Sequence, residues 1–127
     1  MKRKTDLVYG WLKKAASDMR ALEASIGAEA FDAACFHAQQ AAEKALKAFL
    51  IGTETEFPHT HNLTKLVALC ASFDDRFSGL RETVEPLTPY AVEMRYDAEF
   101  WPSESDARDA GRRAAEVVAL VERMLDL

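Results

Sequence analysis

The chain reads as all-α: an up-and-down bundle of four principal helices with an irregular third connection or an extra short helix. Three observations predict it. Phe31 to Leu50, FDAACFHAQQAAEKALKAFL, has no Gly, Pro or β-branched residue and is rich in residues that lose little freedom in a helix. The last segment opens on a Ser103/Asp106 pair spaced as a capping box, and its apolar positions recur at steps of three and four. No stretch alternates with the period of two that a half-buried strand needs.

Taken in order, Leu7, Trp11, Ala15, Met19, Leu22 and Ile26 keep helical spacing over Asp6–Ile26. Thr5 or Asp6 is placed to cap the start, and Gly27 to end the helix in a left-handed turn. The second helix runs to Ile51, with Gly52 as a stop of the same kind. Phe31, Cys35, Ala38, Ala42, Ala45 and Phe49 form its apolar stripe, alanine at the centre, so that a neighbour can approach closely. Asp32, Gln39, Glu43 and Lys47 make a polar side, with Glu43 and Lys47 spaced for an i,i+4 ion pair. Few residues join the two helices, so they pack antiparallel.

Thr53–Thr60 carries Pro58 and no period, and reads as a loop. Thr60 or Asn62 caps a third helix facing the core through Leu63, Leu66, Val67 and Cys70. Ser72–Gly79 breaks the pattern, and Phe73 and Phe77 tuck that turn against the bundle. Leu80–Leu87 allows a helical turn or two before Pro86. Thr88-Pro89 then restarts a helix, Thr as cap and Pro at its first position, with Leu87, Ala91, Met94 and Ala98 as the stripe. It ends near Phe100-Trp101-Pro102, where Trp101 reads as core filler. In the last helix Ala107, Ala110, Ala114, Val117, Val121 and Met124 face inward, with Gly111 and Ala115 as small neighbours.

At 127 residues, 49% apolar and 29% charged, the composition is that of one globular domain spanning 1–127. A net charge of −5 argues against a protein that coats nucleic acid, though not against a local basic site or a basic partner. No apolar run approaches a membrane span and the start lacks a signal-peptide core, so the expectation is a cytoplasmic protein with no membrane association. Cys35 and Cys70 fall on apolar stripes, as reduced core thiols do.

Chemistry-bearing residues are few. His59 and His61 flank Thr60 in a loop, and His37 stands on the second helix, without the paired spacing of a metal site. No phosphate loop, nucleophile elbow or cofactor motif is present, so neither a metal nor a cofactor is expected. Arg95-Tyr96-Asp97 is the cluster of interest. Arg95 either pairs with Glu99 on a solvated face, or sits in a cleft or at a subunit boundary.

The second helix carries a resemblance. Gln39, Gln40, Ala42, Glu43, Lys44, Ala45, Leu46, Lys47 and Ala48 are similar to the second-helix signature of the HEPN domain. Trp11, Ala15, Asp18, Met19 and Leu22 resemble its first-helix pattern. Thr60-His61-Asn62-Leu63 resembles its Thr-His-Asp-Leu, with Asn for Asp, and Arg95-Tyr96 its fourth-helix Arg-Tyr. The resemblance spans essentially the whole chain. It implies a four- to five-helix bundle that homodimerises and is often paired with a minimal nucleotidyltransferase in a toxin–antitoxin-like couple. Some members are metal-independent ribonucleases using an Arg followed, four to six residues on, by a His. Here all three histidines precede Arg95, and the residues after it read YDAEFW. Carboxylates are weak bases near neutrality, so Asp97 does not replace the missing His. The expectation is an interaction module, with Arg95, Tyr96, Asp97 and His61 as candidate nucleotide, RNA or interface residues and no catalytic residue assigned. The alternative is a divergent ribonuclease toxin using Arg95 with His61 or Asp97.

Overall fold

The computed structural model describes residues 3–125, so Met1, Lys2, Asp126 and Leu127 of the expected domain lie outside it. Helices α1 (Lys4–Gly27), α2 (Phe31–Gly52) and α5 (Glu104–Met124) are long. Helix α3 (Leu63–Ala71) is short, and α4 (Arg81–Val84) is a single turn between two 3₁₀ segments, Asp75–Leu80 and Glu85–Tyr90. No strand occurs among the described residues.

Helix α2 lies between α1 and α5 and is buried along most of its length. Its fully buried Ala38, Ala42 and Ala45 form the small-residue spine that the sequence predicts, and Ala34 and Ala41, outside that stripe, are fully buried too. Helices α1 and α5 also approach closely: a methyl group placed on Gly111 would come within 3.2 Å of Leu22. Val8, Gly52 and Leu125 meet at one end, so α2 and α5 run in the same sense and α1 opposes both. The connection from residue 53 to 102 therefore has to carry the chain back along the bundle.

It does so without a fourth long helix. The helix expected from Thr88 to Phe100 is absent, and residues 91–96 form irregular turns. The Met94 N–H reaches back five residues to the Pro89 carbonyl (2.9 Å), and the next bonds, Tyr96 to Val92 and Asp97 to Met94, are long at 3.4 Å. The expected stripe loses its neighbour after Ala91, and Ala98 is exposed. Thr88 has a different task, accepting the Leu63 N–H at the start of α3 (3.2 Å). Asn62 accepts the next two amides, Thr64 and Lys65, so the first three donors of α3 are satisfied. Of the two aromatic residues expected to tuck inward, Phe77 is fully buried against Phe49, whereas Phe73 is 53% exposed. Arg113 ties α5 to this connection by donating to the carbonyls of Glu82 and Thr83.

The helix ends also differ from expectation. Helix α1 starts at Lys4 with Arg3 at the cap position, two to three residues earlier than expected, and the Asp6 carboxylate accepts the Arg3 N–H. Neither Gly27 nor Gly52 is left-handed; those positions fall to Glu29 (φ 61°) and Glu54 (φ 59°). Each sits in a Schellman turn: Ala30 N–H to Ser25 O (2.8 Å) after α1, and Thr55 N–H to Leu50 O (3.0 Å) after α2. A side chain with a Cβ is strained there. Glu29→Gly and Glu54→Gly should each stabilise the protein by about 0.5–1 kcal/mol, read as a higher Tm. An unchanged or lower Tm in both would refute the strain.

Candidate functional site: the Arg95 cleft

At its N-terminal end α2 presents Asp32, Ala33, Phe36 and His37 on one face. The irregular segment folds across them to enclose a cleft of about 580 Å³, completed by Met94, Arg95, Asp97, Ala98, Phe100 and Trp101. The Asp97 carboxylate accepts the Glu99 N–H (2.9 Å), which tightens the turn, and the Tyr90 and Phe100 rings meet at 5.8 Å.

Arg95 makes no ion pair within 4 Å among the described residues, so of the two alternatives the Arg95–Glu99 pair does not form. Its guanidinium lies 4.3 Å from the centroid of the Phe36 ring and 5.5 Å from that of Tyr96. A cation held by an aromatic face keeps its N–H donors available to an anion. Tyr96 and Trp101 are each 75% exposed, so Trp101 is not core filler but a wall of the cleft open to solvent.

The structure brings Arg95 and Asp97 together in this cleft, with Tyr96 beside Arg95, but not His61. The His61 Nδ1 instead pairs with Glu43 Oε1 (2.8 Å). Glu43 is six residues beyond His37 on α2, roughly 9 Å along the axis and well around it.

The histidine that does reach the cleft is His37. Its Nδ1 lies 2.8 Å from Asp18 Oδ1, and Lys44 Nζ lies 2.6 Å from Asp18 Oδ2. A carboxylate only accepts, so Nδ1 carries the proton and Nε2 has no partner among the described residues. The Phe36 ring that carries Arg95 also makes an edge contact with His37, ring centroids 5.5 Å apart. Sequence reasoning treats His37 as isolated. The available signal is Asp18, a carboxylate three residues from Ala15 and four from Leu22 on the inward face of α1, where an acid has to find a partner.

The rest of the second-helix polar side is structural. Gln39, Glu43 and Lys47 are buried. Gln39 Nε2 donates to Glu43 Oε1 (3.0 Å) and to the His61 carbonyl (3.1 Å), Lys47 Nζ to Glu43 Oε2 (2.9 Å), and Gln40 Nε2 to Gln39 Oε1 (2.7 Å). This network docks the Thr60-His61-Asn62 loop onto α2. Burial by itself would raise the pKa of Glu43. Hydrogen bonds from Lys47, Gln39 and His61, with the Lys47 charge, outweigh it and hold the carboxyl below its ordinary 4.5. Burial pushes the free thiols up, Cys35 to about 11 and Cys70 to about 12. No described helix is long and apolar enough to cross a membrane.

Fold and cleft together define an all-helical bundle with an aromatic, arginine-bearing cleft at the head of its central helix. The chain belongs to the HEPN domain family, whose model matches residues 8–124. Among solved structures it is similar to TT1696 from Thermus thermophilus, at 28% identity and a TM-score of 0.82, over 91% of this chain and 96% of that one. It also shares its fold with ST0689, an archaeal HEPN homologue, at 23% identity and a TM-score of 0.76, over 98% of both chains. Among curated proteins none matches.

Proposed function

We propose that this HEPN chain is an interaction module that pairs with a second copy of itself and with a minimal nucleotidyltransferase, and offers the Arg95 cleft to a nucleotide or a single-stranded RNA segment. The observation that carries the reading is the Arg95 guanidinium, within 4 Å of no carboxylate among the described residues and stacked on Phe36 beside the exposed Trp101. An unpaired guanidinium suits phosphate, and an open indole suits a base. Family membership supports the partner, and exposed Val92 and Tyr96 on the same segment supply apolar surface for association.

Arg95→Ala and Trp101→Ala should each weaken binding of a short single-stranded RNA about tenfold, measured by calorimetry at fixed salt. Binding indifferent to both would remove the cleft from the reading. Co-expression with the neighbouring gene followed by size exclusion tests the association, and a monomer that elutes alone would count against it.

The second reading is a phosphodiester-cleaving enzyme, favoured by the His37–Asp18 pair in the cleft with Arg95. Cleavage of RNA by the purified protein, abolished by His37→Gln and by Arg95→Ala, would establish it.

A further inference from the structure

We propose that His37 is the proton-linked second anchor of the cleft: its imidazolium, backed by Asp18, grips the same phosphodiester as Arg95, and binding takes up a proton. The proposal rests on the reading of the cleft as a nucleic-acid site. The His37 Nδ1–H is committed to Asp18 (2.8 Å), so the neutral ring offers only the Nε2 lone pair. Phosphodiester oxygens are likewise acceptors. A neutral His37 and a phosphate therefore repel, and contact requires a proton on Nε2.

The charged groups around the ring come from α1, α2 and the segment across the cleft. Asp18 faces His37 from α1, Lys44 and Asp32 belong to α2, and Arg95 and Asp97 come from the segment across the cleft. Three carboxylates against two cations leave an excess of negative charge, which an entering phosphodiester increases. By reciprocity, an anion that favours protonation of His37 is itself bound more tightly when His37 is protonated. The same carboxylates, Asp32 and Asp97, set the ligand class: they oppose a concentrated polyphosphate charge, whereas one phosphodiester matches the Arg95–His37 pair. The ligand expected is a nucleic-acid strand gripped at one backbone phosphate, rather than a nucleoside triphosphate.

The test is calorimetric titration of the full chain with a short oligouridylate, whose phosphodiesters keep their charge between about pH 5 and 8. Measured at constant ionic strength in buffers of different ionisation enthalpy, it reports protons taken up on binding. The wild type should take up a fraction of a proton on binding, and its affinity should fall about tenfold across that range. His37→Gln, whose amide can still donate to Asp18 but cannot titrate, should bind with no proton uptake and a flat pH profile. Arg95→Ala should weaken binding at every pH while keeping the slope. Binding sensitive to Arg95→Ala but without proton uptake in the wild type would overturn the role of His37 and leave the cleft reading standing. Absence of oligouridylate binding at all pH values would overturn both. Should His37→Gln fail to fold, proton uptake by the wild type decides alone.

Discussion

Replacing Glu43 with alanine is expected to destabilise the protein by about 3–5 kcal/mol, a large share of a domain's usual net stability. Glu43 is where three separate hydrogen bonds converge: from Lys47, Gln39 and His61. Its loss leaves the buried Lys47 ammonium without a counter-charge and the Gln39 amide with one partner fewer. The double change Glu43→Leu with Lys47→Leu removes both charges, and should recover much of the loss. Urea unfolding midpoints of the single and double variants check this, and a Glu43→Ala loss under about 1 kcal/mol would show that the pair is solvated.

The same carboxylate sets an acid limit. Its pKa is lowered in the folded protein, so its contribution is fully present above the unfolded value of 4.5 and is lost as pH falls through the folded one. Stability measured from neutrality downward should hold to about pH 5 and then decline. In Glu43→Ala this part of the acid sensitivity should be missing.

Phe77→Ala should cost about 3–5 kcal/mol. The ring is wholly buried, with its centroid 4.5 Å from that of Phe49, and it is the main aromatic anchor of the stretch that returns the chain from α3 to α5. That stretch is made of short helical segments and turns with no long helix to anchor it, so its position depends on the buried Phe77, Leu80, Val84 and Leu87. Hydrogen exchange should therefore rise first between residues 72 and 102, and RNA binding at the cleft should weaken although Phe77 does not line it. Uniform loss of protection across all helices would mean that the connection is not a separate unit.

The long helices are legible because periodicity and caps are local. Ser103 and Asp106 bond each other's amides, as their spacing implies (2.9 and 3.1 Å). The Glu43–Lys47 pair also forms as its spacing implies; its burial comes from a loop that arrives ten and more residues later. The segment around Arg95 shows the limit. Its residues can make a helix, and Thr88-Pro89 is a good start for one, but Thr88 is drawn to the head of α3 and the expected stripe is not buried beyond Ala91. Freed of the helix, the segment folds over Phe36 and Trp101 stays exposed.

Sequence by itself determined the all-helical class, the alanine spine of α2, the capping box of α5, and the HEPN signature, because each depends on neighbours a few residues apart. Only the tertiary structure decided that His37 rather than His61 shares a cleft with Arg95. Asp18 and His37 are nineteen residues apart on two antiparallel rods, and no local pattern encodes which faces meet when those rods pack.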